Sequence, residues 1–114
     1  QEVNVVDDQR GTPTYAGDLA DLIYNIVENG DLAATGTYHY TDEGDCTWYE
    51  FAKAINYMLG HGCSVRPCRT EDYPSPAARP ACSVLDKTKV KETFGIEIPH
   101  WRDSLAKAVN NMKL

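Results

Sequence analysis

The segment from residue 70 to residue 84 constrains the fold of this chain more than any other part of its sequence. It holds prolines at positions 74, 76 and 80, and a proline has no amide proton for a helix or a central strand. We therefore predict an extended, stiffened segment here, between regular elements on both sides. The chain has 114 residues, and we expect a single domain over residues 1–114.

The N-terminal side predicts a strand, a helix and a second strand. Val3–Val6 reads as a short buried strand, and Thr37–Thr41 is β-branched and aromatic. The helix between them is capped by Thr14 and ends near Asn29. Its apolar residues recur at helical spacing, at Leu19, Leu22, Ile23, Ile26 and Val27. We expect the two strands to pair in parallel, as in a βαβ unit.

A second helix begins at a capping box formed by Thr47 and Glu50. Its apolar face should bury Trp48, and the helix should end at Gly60. Cys63–Arg66 then suggests an edge strand that Pro67 ends.

Two further helices are predicted after the proline-rich segment. Asp86 caps a short helix that ends at Gly95. The last helix follows Pro99, and its apolar face carries Trp101, Leu105, Val109 and Met112.

Charge is unevenly distributed along the chain. Residues 1–50 carry 11 acidic residues against Arg10 alone, whereas residues 51–114 carry 6 acidic and 10 basic residues, for a net charge of −6. Without a basic tract, we expect no nucleic-acid partner. No apolar run is long enough for a membrane span, so we expect no membrane partner either. The local exception is Arg66, Arg69 and Arg79, whose spacing favours surface ion pairs with the acidic half over an anion site.

The cysteines and histidines do not have metal-site spacing. Neither a Cys-x-x-Cys pair nor a His-Glu-x-x-His pattern occurs in the sequence. No secretory signal is present, so we expect a cytoplasmic protein and free intracellular thiols at Cys46, Cys63, Cys68 and Cys82.

A Tyr-x-x-x-Lys pair is present at Tyr49 and Lys53, the spacing of the proton-donor pair in short-chain dehydrogenases. Helical geometry turns both residues about 100–140° away from the apolar face, toward the flank of their helix. We interpret them as a half-exposed tyrosine beside a surface lysine. The sequence also contains no G-x-G-x-x-G loop for a dinucleotide.

Three stretches of the sequence carry a resemblance to a known family. They are VVDDQRGTPTYAGDLA (5–20), GTYHYTDEGDCTWYEFAKAI (36–55) and YPSPAARPACSVLDKTKVKETFGIEIPHW (73–101). In this order they resemble the C-terminal, substrate-binding part of dTDP-4-dehydrorhamnose reductases, in the extended short-chain dehydrogenase superfamily. The resemblance implies an α/β lobe with short parallel strands, about four helices and a proline-rich irregular segment.

The resemblance also implies an activity for the intact enzyme. Enzymes of the family use NADPH or NADH to reduce dTDP-4-dehydro-L-rhamnose to dTDP-L-rhamnose for cell-surface polysaccharide. Their cofactor loop and catalytic residues lie in an N-terminal Rossmann domain, which would precede Gln1. We therefore expect a fragment that has no catalytic residue and is inactive alone. A homodimer is compatible with the family; some relatives bind Mg²⁺, and no residue here is assigned to that ion.

Four residues are predicted to contact the sugar nucleotide: Gln9, Thr12, Thr14 and Arg79. The guanidinium of Arg79 suits a diphosphate, and the alternative is a structural salt bridge to the acidic half. The other three offer neutral hydrogen-bonding groups for hydroxyls, and the alternative is loop and helix capping, above all for Thr14.

The aromatic residues Tyr73, Trp48 and Trp101 belong either to the site or to the core. Tyr73 could stack on the thymine or the sugar, but a buried ring with a satisfied hydroxyl is favoured. Trp48 and Trp101 are both expected in the core.

Two other functions stay open from the sequence. One is a non-catalytic regulatory module like the β subunit of methionine adenosyltransferase, and the other is a different sugar-nucleotide epimerase or reductase of the same superfamily. The sequence upstream of Gln1 would discriminate enzyme from regulator, because only the enzyme needs a helical Tyr-x-x-x-Lys there.

Overall fold

Two strands that are far apart in the sequence form the main sheet. The computed structural model describes residues 1–30 and 32–112. In it, β1 (Glu2–Val6) pairs in parallel with β4 (Ser64–Cys68), so that Val3 lies opposite Val65 and Val6 opposite Cys68. The strand predicted at Val3–Val6 is confirmed, but it is not buried as expected, since Val3 is exposed and Val5 and Val6 are only partly buried. The predicted edge strand is confirmed too, but it continues through Pro67, which the edge of a sheet tolerates.

Four α-helices, a 3-10 turn at Thr70–Asp72 and two very short strands complete the regular structure of the described residues. The helices are α1 (Ala16–Glu28), α2 (Trp48–Leu59), α3 (Thr88–Phe94) and α4 (Trp101–Met112). The short strands β2 (Arg10–Gly11) and β3 (Cys46–Thr47) pair antiparallel. None of the described helices is long and apolar enough to cross a membrane. The mixed α/β class and the helix number agree with the sequence prediction.

The predicted strand at Thr37–Thr41 is wrong, and so is its pairing with β1. This stretch lies against α3, where the Tyr38 ring packs on Phe94 with centroids 5.1 Å apart. The Lys89 ammonium donates to the Thr37 carbonyl at 2.8 Å, so that carbonyl accepts from a side chain. The aromatic residues that suggested a strand serve tertiary packing instead.

The core is small and centres on the contact between α2 and α4. Cys46, Ala54 and Trp101 are buried there, and Phe51 packs edge-on against Trp101 with centroids 6.0 Å apart. Burial raises the pKa of Cys46 to about 11, so this thiol stays protonated near neutral pH. All four cysteines are free.

The Cα radius of gyration is 16.6 Å. A compact chain of this length would have roughly 13 Å, so the fold is open.

The start of α2 is fixed by the predicted capping box. The Thr47 hydroxyl accepts from the Glu50 amide at 3.2 Å, and Glu50 Oε1 accepts from the Thr47 amide at 2.8 Å. The same hydroxyl donates to Asp7 Oδ1 at 2.7 Å, which joins the helix start to the end of β1. Gly60 ends the helix in the left-handed region, with φ of 69°.

We expect Thr47→Ala to lower the free energy of unfolding by about 1–2 kcal/mol, because it removes the cap and the donor to Asp7. Urea unfolding followed by circular dichroism measures this loss. Thr47→Ser keeps the hydroxyl and should stay within about 0.5 kcal/mol of the parent. Equal losses for both variants would show that the methyl group, and not the hydrogen bonds, carries the effect.

A buried carboxyl pair joins α1 to the loop before β3. Asp42 is fully buried and Asp18 is 7% exposed. Asp42 accepts from the Tyr15 amide at 3.0 Å and from the Tyr40 hydroxyl at 3.4 Å. The Ser104 hydroxyl of α4 donates to the Asp18 carboxylate. Burial raises the pKa of Asp42 to about 6, and the neighbouring Asp18 adds to this rise.

The raised pKa makes stability depend on pH. The folded state holds the Asp42 proton more tightly than the unfolded chain, so this stability is present below about pH 4 and lost as the pH rises through about 6. Asp42→Asn resembles the protonated form. We expect it to be about 1–3 kcal/mol more stable than the parent at pH 7, with the two converging near pH 4.

Urea unfolding at both pH values tests this expectation. Asp103→Asn removes an exposed carboxyl on α4 and serves as the control. A destabilised Asp42→Asn at pH 7 would contradict the expected cost of burying the charged Asp42 carboxylate beside Asp18.

Candidate functional site

An open groove of about 880 Å³ lies between β1, the start of α2 and the proline-rich segment. Its volume falls in the range of small-molecule sites, roughly 300–1,000 Å³. Gln9 and Arg79 line it, as do the aromatic side chains of Trp48 and Tyr73. The groove therefore combines a cation, a neutral amide and two rings.

The far wall of the groove is the proline-rich segment, which the backbone of Arg10 fixes. The Arg10 amide donates to the Ala81 carbonyl at 2.8 Å, and the Ser83 amide donates to the Arg10 carbonyl at 2.8 Å. Arg10 also pairs with Thr47 of β3 on its other side. Gly11 permits this approach, because a Cβ there would lie 2.9 Å from Ser83 Oγ. The segment begins with a 3-10 turn at Thr70–Asp72, which the prediction of an extended segment missed, and no regular helix follows from 73 to 84. Its position comes from β2.

The start of the same segment is tied to the end of β1 through Thr70. Both oxygens of Asp8 accept from the Thr70 amide, at 3.0 and 3.2 Å, and Asp8 Oδ1 accepts from the Thr70 hydroxyl at 2.5 Å. The hydroxyl bond is the main reason that the pKa of Asp8 lies below its ordinary value. Gln9 Nε2 donates to the same hydroxyl at 3.2 Å. Gln9 thus lines the groove from a fixed position.

Arg79 is a free cation within the part of the chain that the structure describes. Arg66 pairs with Glu2, and Arg69 pairs with Glu71 at 2.7 Å, whereas Arg79 forms no ion pair with any described residue. The predicted ion pair with the acidic half is therefore found for Arg66, whereas the partner of Arg69 is its near neighbour in the sequence. The alternative role of Arg79, a structural salt bridge to the acidic half, is not found among residues 1–30 and 32–112.

Thr12 and Thr14 lie outside the residues that line the groove. The Thr12 hydroxyl donates to the Gly44 carbonyl at 2.6 Å. The Thr14 hydroxyl accepts from the Asp42 amide and donates to the Thr12 carbonyl, both at 3.2 Å. Thr14 was expected to cap α1, but the N-cap residue is Tyr15. Both hydroxyls are used to hold the loop, and direct substrate contact by either stays a prediction.

Two aromatic residues were assigned wrongly from the sequence. Trp48 was expected in the core, yet it is 45% exposed, and Tyr73 was expected to be buried, yet it is 59% exposed. Trp48 is the first residue of α2, so the body of the helix lies to one side of it only. That position alone does not signal exposure, because Trp101 is the first residue of α4 and is buried. The exposure of Tyr73 has no signal in the sequence either, since its position depends on the contact between Asp8 and Thr70. Trp101 is buried as expected.

The Tyr-x-x-x-Lys pair stays together on the side of α2. Lys53 Nζ lies 5.0 Å from the centre of the Tyr49 ring, and neither residue lines the groove.

Among the described residues, no group of three His, Cys, Asp or Glu side chains is placed to hold a metal ion.

The parallel strand pair, its covering helix and the groove together define a ligand-binding α/β lobe. The RmlD substrate binding domain model matches residues 1–114, and the chain belongs to this family.

Relatives and solved structures agree with this assignment. A dTDP-4-dehydrorhamnose reductase of Aggregatibacter actinomycetemcomitans is 40% identical over 112 residues, covering 90% of this chain and 38% of that protein. The spore coat polysaccharide biosynthesis protein SpsK of Bacillus subtilis is also 40% identical, covering 92% of this chain and 35% of its own length. The crystal structure of dTDP-4-dehydrorhamnose reductase from Bacillus anthracis in complex with NADP superposes with a TM-score of 0.89 at 33% identity. It is matched over 99% of this chain and 38% of its own. The chain thus spans less than two fifths of each.

We expect Thr70→Val to return the pKa of Asp8 toward its ordinary value of 3.8, because the hydroxyl donor is lost. Titration of the Asp8 carboxyl carbon by nuclear magnetic resonance measures this shift. Thr70→Ser keeps the donor and should keep the lowered pKa. An unchanged pKa in Thr70→Val would mean that the backbone amide alone stabilises the carboxylate.

Proposed function

We propose that this chain is the sugar-nucleotide-binding part of a dTDP-4-dehydrorhamnose reductase. The intact enzyme would reduce dTDP-4-dehydro-L-rhamnose to dTDP-L-rhamnose with NADPH or NADH, as a step toward polysaccharide. The observation that carries the proposal is the family match over the whole chain. The groove supports it, because it presents Arg79, free of ion pairs among the described residues, beside a neutral amide and aromatic rings.

The hydride donor is assigned to a part of the protein outside this chain. NADP is present in the Bacillus anthracis structure. Here, β1 leads into Asp7 and Asp8, and no glycine-rich loop that could hold a dinucleotide diphosphate follows the strand. The residues of this chain therefore do not fit the cofactor. A cytoplasmic location and a homodimer are further expectations from the family.

The diphosphate of the ligand is placed at Arg79. A guanidinium can donate two parallel hydrogen bonds to phosphate oxygens, and a segment stiffened by prolines loses little entropy when it binds. Gln9 would offer its amide to a sugar hydroxyl. Thr12 and Thr14 are proposed to contribute as well, since their hydroxyls hold the loop that follows Gln9.

We expect Arg79→Ala to weaken binding of dTDP-L-rhamnose by about 10- to 100-fold, because a charge-assisted contact is lost. Its melting temperature should match the parent, because Arg79 is exposed and unpaired among the described residues. Isothermal titration calorimetry and thermal unfolding measure the two effects. Arg66→Ala removes an exposed arginine of β4 and should bind like the parent.

Several outcomes would overturn the proposal. Equal affinities of Arg79→Ala and the parent would refute the role of Arg79. NADPH oxidation by this chain alone with dTDP-4-dehydro-L-rhamnose would refute the division between sugar site and hydride donor. Binding of other sugar nucleotides in preference to dTDP-sugars, or of none, would favour the epimerase or the regulatory alternative.

A further inference from the structure

We propose that Trp48 and Tyr73 form a stacking platform for the nucleobase of the ligand. Both rings line the groove that contains Arg79, and they are 45% and 59% exposed. The groove would then select nucleoside diphosphates over diphosphates that lack a base. This inference rests on the proposed function and adds to it the residues that recognise the base.

The indole of Trp48 is held firmly on one side and open on the other. Phe51 packs against it edge-on, with centroids 6.4 Å apart and an interplanar angle of 66°. Phe51 packs in turn on buried Trp101, at 6.0 Å and 74°. A chain of three rings thus runs from the core to the groove. A ring fixed in this way loses little entropy when a flat ligand stacks on it.

Tyr73 lines the groove from the proline-rich segment, and its backbone is tied to Thr70. The Tyr73 amide donates to the Thr70 carbonyl at 3.1 Å, and Thr70 is bound by Asp8. Tyr73 precedes Arg79 by six residues in one extended segment. A base near Tyr73 and a diphosphate near Arg79 would therefore lie along the same wall, in the order in which a nucleotide presents them.

The surroundings of the rings favour a base over a purely apolar ligand. Gln9 and Ser83 line the same groove, and each can still accept a hydrogen bond while Gln9 Nε2 donates to Thr70 and Ser83 Oγ donates to the Arg10 carbonyl. A pyrimidine has an apolar face for stacking and polar edges for hydrogen bonds, and this groove offers partners for both.

The test compares thymidine diphosphate with inorganic pyrophosphate, which has no base, by calorimetry on the 114-residue chain. We expect Trp48→Ala and Tyr73→Ala each to weaken thymidine diphosphate binding by about 5- to 100-fold and to leave pyrophosphate binding unchanged. Trp48→Phe keeps a ring and should recover most of the affinity. Tyr57→Ala removes an 84% exposed tyrosine on the same helix, outside the groove, and is the matched control.

Fluorescence gives a second readout, because the chain has only two tryptophans. Thymidine diphosphate should quench the parent through Trp48. In Trp48→Phe only buried Trp101 emits, so no quenching is expected. Tyr73→Ala tests the platform separately if Trp48→Ala does not fold.

The outcomes separate this inference from the proposed function. If the parent binds thymidine diphosphate and both alanine variants bind it equally well, the platform is wrong and the proposed function stands. If Trp48→Ala weakens both ligands equally, the role of Trp48 is structural and the inference fails. If the parent binds no thymidine diphosphate, both proposals fail.

Discussion

The backbone of Arg10 holds together two parts of the chain that have little else in common. On one side it pairs with Thr47 at the start of α2, and on the other it exchanges hydrogen bonds with Ala81 and Ser83. The proline-rich segment needs this support because every residue from 69 to 86 is exposed, so apolar burial cannot fix it. Without the Arg10 pairing the groove would have no far wall. A strand of two residues thus decides the geometry of the site.

The local elements could be predicted from the sequence, whereas strand pairing could not. The capping box at Thr47 and the apolar spacing of α1 act over a few residues; α2 begins as predicted, and α1 forms but has Tyr15, not Thr14, at its N-cap. The partner of β1 depends on contacts across about sixty residues, and two stretches had strand-like composition. Ser64–Cys68 pairs with β1 because α2 returns the chain to it, while the stretch at Thr37–Thr41 packs against α3. Local propensity does not indicate which of these two stretches pairs with β1.

Some residues of the candidate site could be predicted from the sequence, and others could not. Arg79 and Gln9 were selected by residue type and by motif, and both line the groove. Trp48 and Tyr73 were assigned to the interior because large rings are usually buried, yet both are exposed. Trp101 also begins a helix and is buried, so the position of a ring within its element does not decide its exposure. The contacts of the surrounding chain decide it.

The distribution of charge explains how a chain of net charge −6 can present a groove to a diphosphate. Most of the acidic groups near the groove already have partners. Asp7 accepts from Thr47, Asp8 accepts from Thr70, and Asp45 and Glu50 lie 3.1 and 3.4 Å from the Arg10 guanidinium. Glu71, which does line the groove, is paired with Arg69. Arg10 and Arg69 offset the charges of Asp45, Glu50 and Glu71, whereas Asp7 and Asp8 are hydrogen-bonded to hydroxyls and keep their charges. Arg79 forms no ion pair with any described residue, which is what the proposed diphosphate contact requires.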